Sequence, residues 1–145
     1  MSVFSSRRVA AAVRTREDFD ISLTSKVDVI FLLYSSIMNI ESYVKKAHGA
    51  GKKIFIHMDF VEGVGKDRAG MEFLKSINVD GILTTKTNMI RPAKDCGLIT
   101  VQRFFIVDSH SVDTAVESIR IAKPDVVEIM PGVVCLLYTS DAPTT

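Results

Sequence analysis

The chain has 145 residues, 47% of them hydrophobic and 24% charged, and its basic and acidic side chains balance to a net charge of +1. This ordinary globular composition excludes intrinsic disorder and leaves room for one domain with a core that needs no disulfide or metal staple. Near-neutrality excludes a protein that coats nucleic acid by bulk attraction, although basic side chains gathered on one face remain compatible with it.

No apolar run approaches the ~20 residues of a membrane span, and the early arginines precede only Val9 to Val13, too short for a signal peptide. A soluble protein of the cytoplasm is expected. Cys96 and Cys135 lack CxxC spacing and are expected as free thiols.

The apolar runs follow one another along the chain: Val9 to Val13, Val29 to Tyr34, Ile54 to Met58, Gly81 to Thr85, Ile99 to Val107 and Val126 to Met130. Each is too short for a helix and rich in Val, Ile or Phe, which predicts a strand. Helical spacing fills the gaps. After the second run, Ile40, Tyr43, Val44 and Ala47 share one face, with Asn39 placed as N-cap and Gly49 and Gly51 as the stop. After the third, Met71, Phe73, Leu74 and Ile77 form a stripe ended by Asn78. After the fifth, Ser111 to Ala122 repeats the pattern through Val112, Ala115, Val116 and Ile119 and halts before Pro124.

Strands this continuously hydrophobic are buried on both faces and need crossover helices, which predicts a parallel α/β protein. A closed eight-unit barrel usually takes at least ~200 residues, so the sheet is either open or an incomplete barrel. The ending from Cys135 to Thr145 has no helical periodicity and is expected as an unstructured tail.

In such folds ligands sit at the carboxyl ends of the strands, and polar residues gather there. The third run ends in His57-Met58-Asp59, where a period of two puts His57 and Asp59 on one face, and Glu62, Gly63, Gly65 and Lys66 follow. The fourth ends in Thr84-Thr85-Lys86. Arg103 lies in the fifth run ahead of Asp108, and Glu128 in the sixth ahead of Gly132. Arg103 and Glu128 fit a structural ion pair as well as a ligand contact. One histidine and one carboxylate at i, i+2 fall short of a metal ligand set, so no metal is expected.

The glycines from Gly63 to Gly70 are spaced GxGxxxxG, which meets neither the dinucleotide nor the P-loop fingerprint and leaves a flexible loop able to hold an anion. Lys86 suits phosphate binding, a Schiff base or a solvated loop. Lys45, Lys46, His48, Lys52 and Lys53 form a basic edge around one helix end, suited to the helix dipole or to RNA phosphates.

Taken together, His-Met-Asp-Phe-Val-Glu-Gly-Val-Gly-Lys-Asp (57–67), Asp-Gly-Ile-Leu-Thr-Thr-Lys (80–86), Gln-Arg-Phe-Phe-Ile-Val-Asp-Ser (102–109) and Lys-Pro-Asp-Val-Val-Glu-Ile-Met-Pro-Gly (123–132) closely resemble the bacterial glycerol uptake operon antiterminator family, in order and spacing. The resemblance covers roughly Arg8 to Val134. It implies a TIM-barrel-like parallel (β/α) repeat with six units present and the last two missing or replaced. Residues 1–134 would be the incomplete antiterminator domain and 135–145 an unrelated tail.

It further implies a regulator, not an enzyme, that senses glycerol 3-phosphate and binds a messenger RNA leader, with no cofactor beyond that effector, no membrane and a possible homo-oligomer as assembly. The ligand-facing set it implies is His57, Asp59, Gly63, Lys66, Thr85, Lys86, Arg103, Asp108, Glu128 and Gly132. In it, Lys86 and Arg103 would neutralise phosphate while Asp59 and Glu128 accept from glycerol hydroxyls. Lys45, Lys46, Lys52 and Lys53 are the expected RNA contacts. The strand-end residues suit two alternatives besides: a barrel enzyme acting on a small phosphorylated polyol or triose, and an inactive fragment.

Overall fold

The computed structural model describes residues 9–131 and the main chain of residues 134–137. Strands and helices alternate from the start: β1 (Ala10–Val13), α1 (Arg16–Thr24), β2 (Val29–Leu32), a short β3 (Ser35–Ser36), α2 (Ile40–Gly49), β4 (Lys53–His57), a short β5 (Val61–Glu62), α3 (Arg68–Ser76) and β6 (Gly81–Thr84). They continue through α4 (Ile90–Asp95), β7 (Ile99–Phe105), α5 (Ser109–Ala122), β8 (Val126–Met130) and β9 (Val134–Leu137). Each of the apolar runs becomes a strand. The helix starts have local causes: Thr15 accepts from the Asp18 amide, Asp67 from the Gly70 amide, and Asp108 with Ser111 forms a reciprocal capping box. Asn39 stands at the start of α2 without capping it, because its side chain accepts from the Ser36 amide at 3.0 Å and fastens the preceding turn instead.

The main sheet runs β1-β2-β4-β6-β7-β8-β9, every pair parallel up to β8, so each parallel strand lies beside the one before it in the chain. Helices α1 to α4 pack on one face. There Phe19, Ile40, Val44, Ala47, Met71, Leu74 and Ala93 meet Ile30, Leu32, Ile54, Ile56 and Ile82 of the strands. The opposite face carries a second cluster of strand residues alone, including Val29, Phe31, Phe55, Leu83, Val101 and Val126. Sequence-ordered parallel strands with helices outside and an apolar lining inside form a six-strand half-barrel of the TIM-barrel-like kind, as expected.

The ending differs from the expectation. Val134–Leu137 pairs antiparallel with β8, in register Val126↔Leu137 to Ile129↔Val134, where a tail without structure was expected from residue 135. A short apolar segment satisfies its own backbone groups by lying along the open β8 edge, and no crossover helix is needed for an antiparallel pair. Residues 138–145 lie outside the described residues.

Three aspartates lock the strand starts. Asp28, Asp80 and Asp125 each stand just before one strand and accept an amide at the start of the strand before it: Val9 N at 3.1 Å, Ile54 N at 2.8 Å and Thr100 N at 2.8 Å. This tie recurs along the chain as Val27-Asp28, Val79-Asp80 and Pro124-Asp125.

Candidate functional site

Alternation along the strands decides which strand-end residues face inward. Phe55, Val101 and Val126 line the inner cluster, so His57, Arg103 and Glu128, two residues further along the same strands, point to the same side at the carboxyl rim. Arg103 and Glu128 are directly opposite in register. The Arg103 Nε donates to Glu128 Oε1 at 2.9 Å, and Nη2 reaches the same oxygen at 2.9 Å. Both side chains are largely buried, 18% and 9% exposed, which makes this the least solvated ion pair of the described residues. A charge pair this dry stands only when both partners are present, because either alone would be a buried uncompensated charge.

His57 closes β4, buried, and its Nδ1 accepts from the Asp59 amide at 3.3 Å. That bond assigns the ring proton of the neutral imidazole to Nε2. Its ring lies 4.7 Å from that of Phe60, which in turn touches Tyr34 at 5.5 Å. Burial holds the His57 pKa below the ordinary value; Asp59 opposes this, while Arg103 and Lys66 add to it.

Asp59 is not the next alternate residue of a strand, as expected, since β4 ends at His57 and Met58–Phe60 forms a 3₁₀ turn. Its carboxylate accepts from Thr84 Oγ1 at 2.7 Å, from the Thr85 amide at 3.1 Å and from Thr85 Oγ1 at 2.5 Å. Burial pushes this carboxyl up, but the bonds from Thr85 and Thr84 outweigh it and hold the pKa below the usual carboxylate value. The effect is to bolt the end of β4 to the end of β6.

The structure sorts the rest of the expected set. Lys66 is tethered: its Nζ donates to the carbonyls of Met58 at 2.8 Å and Asp59 at 3.3 Å. Lys86 is exposed just past β6, its amide donating to Thr84 Oγ1 at 3.0 Å. Gly63 serves a turn, with φ of 78°, and a Cβ there would lie 2.7 Å from Ile37 Cγ2. Asp108 is exposed and committed to capping α5, accepting from Ser111 N at 2.8 Å, so it does not join the rim. Gly132 lies outside the described residues, as does the side chain of Cys135. Cys96 is a half-buried free thiol.

Of the expected RNA contacts, Lys45, Lys46 and Lys53 are exposed. Lys52 is not. It is buried, its Nζ donating to the carbonyls of Ser25 at 2.8 Å and Val27 at 2.6 Å, which satisfies loop carbonyls that would otherwise lack partners. That contact is long-range and leaves no trace in the charge pattern of the sequence.

Two threonine and aromatic contributions were missed. Thr84, fully buried, and Phe60, stacked near His57, stood outside the expected set although Thr84 was visible at a strand end. Among the described residues no group of three His, Cys, Asp or Glu side chains is arranged to hold a metal, and no helix is long and apolar enough to cross a membrane.

The inner face at the rim thus offers a buried guanidinium–carboxylate pair and a neutral imidazole, with the hydroxyl of Thr85 and the exposed Lys86 just past the end of β6. Such a group suits a small polar anion with hydroxyls. The chain is similar to a glycerol uptake operon antiterminator regulatory protein from Listeria monocytogenes, with a TM-score of 0.81 and 31% identity over 89% of this chain and 70% of that one. It is also similar to a glycerol uptake operon antiterminator-related protein from Thermotoga maritima, with a TM-score of 0.77 and 36% identity over 86% of this chain and 71% of that one.

The uncharacterized protein YgcP of Escherichia coli (strain K12) is 37% identical over 125 residues, 86% of this chain; the match spans 65% of YgcP, just under two thirds of its length. The sequence profile described as "Glycerol-3-phosphate responsive antiterminator" matches residues 9–143. This family is regulatory, not a family of enzymes. With profile and fold in agreement, the chain belongs to the glycerol-3-phosphate responsive antiterminator family.

Proposed function

We propose that this protein is a glycerol 3-phosphate sensor that binds a messenger RNA leader in the cytoplasm and prevents early termination of transcription there. The observation that supports the effector half is the Arg103–Glu128 pair on the inner side of β7 and β8, with His57 on the same side and near enough to Arg103 to feel its charge. Lys86 and Arg103 neutralise the phosphate, and Glu128 accepts from a glycerol hydroxyl. Asp59 takes a different part from the one its residue type suggests. With three donors already on its oxygens, it positions Thr85 and the His57 turn instead of meeting the ligand directly. The same saturation and low pKa leave it a poor general base, which speaks against proton-abstraction chemistry.

Thermal melting with glycerol 3-phosphate tests this reading. A ligand at about 100 times its Kd stabilises the folded state by about 2.7 kcal/mol, so the melting temperature rises with concentration. Glycerol and inorganic phosphate separately are expected to give smaller shifts, and Lys86→Gln to abolish most of the effect. No shift at any concentration of glycerol 3-phosphate would overturn the proposed effector.

A further inference from the structure

The half-barrel has a second face, opposite the rim, where the parallel strands begin and the helices end. Lys46 lies in the last turn of α2, Lys75 in that of α3, Lys94 in that of α4; Lys123 follows α5 and Lys53 opens β4. All are exposed except Lys94, which is half-buried. Of the acidic groups of this face, Asp28, Asp80 and Asp125 accept from the strand-start amides, Asp80 and Asp125 also lie 3.9 Å from Lys53 and Lys94, and Asp95 at the end of α4 faces Arg68. The helix beginnings, by contrast, carry Glu17, Asp18, Glu41, Asp67 and Asp108. On a chain of net charge +1 these five lysines therefore gather at the strand starts, whereas at the helix beginnings the acidic groups are mixed with Arg16, Arg68 and Arg91.

Lysines near helix C-termini interact favourably with the dipole, at about 0.3–1 kcal/mol each. That accounts for Lys46, Lys75 and Lys94, and Lys53, which opens a strand, has the Asp80 carboxylate at 3.9 Å; neither accounts for the cleft beside them. Between the ends of α2 and α3 and the start of β7 lies a solvent-open cleft of about 430 Å³, lined by His48, Lys75, Asn78, Asp80 and Gly97 among others. Its walls are fixed: His48 Nε2 is 2.8 Å from Asp80 Oδ2, and Lys75 Nζ donates to Gly97 O at 3.2 Å. Neighbouring helices stand about 8–10 Å apart, so the lysines form a row along which a flexible phosphate backbone meets one cation after another.

We infer that the strand-start face, with the exposed Lys46, Lys53 and Lys75 and the cleft lined by His48 and Lys75, is the surface that holds single-stranded RNA, on the side of the molecule away from the effector rim. This rests on the proposed RNA-binding function and deepens it. Lys52, sealed under this face, takes no part in it.

The test measures binding of a 40-nucleotide random-sequence RNA pool to the full chain across a salt series, with and without glycerol 3-phosphate. The variants are Lys46→Gln/Lys75→Gln and, as an equal charge change at the helix beginnings, Arg16→Gln/Arg91→Gln; melting curves check that both fold, and Lys46→Gln alone serves if the first does not. The expected result is about tenfold weaker binding for the Lys46/Lys75 variant, with a log–log salt slope shallower by about 1.4 for two lost phosphate contacts on a single strand. The Arg16/Arg91 variant is expected to match the wild type. Wild-type binding that both variants retain equally overturns the surface while leaving the RNA function standing. Absence of wild-type binding at low salt, with and without effector, overturns the RNA function and the surface with it.

Discussion

Burial depresses the pKa of His57, and Asp59 raises it without cancelling the effect of burial, Arg103 and Lys66. In the unfolded chain the imidazole takes up a proton near pH 6.5, whereas in the folded chain it resists protonation to a lower value. The unfolded state therefore binds more protons as pH falls below about 6.5, and stability falls with it. His57→Gln removes this part of the loss, so its melting temperature is expected to drop less than that of the wild type between pH 7.5 and pH 5.5. An equal drop in both proteins would contradict the assigned environment. Asp59 acts in the next range down: its carboxyl is held low, so its contribution is complete above the ordinary carboxylate pKa and is lost only as pH falls through the lowered value.

At this scale the sequence revealed residue types better than residue roles. Asp59, Arg103 and Glu128 were visible as polar groups at strand ends, but which threonines would saturate Asp59 depends on the register of β4 against β6. The Arg103–Glu128 pair was legible because both interrupt apolar strands that follow one another in the chain.

Among the elements, the entry to α3 shows the largest departure from expectation in character, though not in place. The glycines after Gly63 suggested a flexible loop, and the helix does start at Asp67 as read. The loop is packed shut, however: a Cβ on Gly70 would stand 1.7 Å from the Gly65 carbonyl oxygen. Backbone cannot retreat as a side chain can, so Gly70→Ala is expected to cost about 3 kcal/mol in denaturant unfolding. Gly65→Ala is expected to cost less, because its Cβ meets the movable Asp67 carboxylate at 2.8 Å. A loss under about 1 kcal/mol for Gly70→Ala would show that the turn opens readily.

Glycine spacing reports conformational freedom, not the contact that uses it, and so misled. The stripe of α5 misled for another reason: Ala115 and Ala122 are buried, while Val112 and Val116 of the same predicted face stay exposed. Periodicity identifies a face without saying how much of it the sheet covers.

For the molecule as a whole, the expected parallel order was readable because strands buried on both sides have no polar alternation to hide them. β9 was not, since the pattern logic that demands a crossover between strands is silent about a segment that turns straight back. The sheet's arrangement also predicts a gradient of stability. β4 and β6 have neighbours on both sides and belong to both apolar clusters through Ile54, Phe55, Ile82 and Leu83, whereas β1 has one partner and exposed Ala10 and Ala12. Native-state hydrogen exchange is expected to find the amides of Phe55, Ile56, Ile82 and Leu83 slowest and those of β1 among the fastest of the strands. A uniform rate across the sheet would contradict it.

Because each parallel strand settles beside its immediate predecessor in the chain, the contacts that build the sheet are short in sequence, and loop closure between them costs little. On the ribosome, β1, α1 and β2 can begin to dock before β7 has been translated, and every later unit finds a template already waiting at the growing margin.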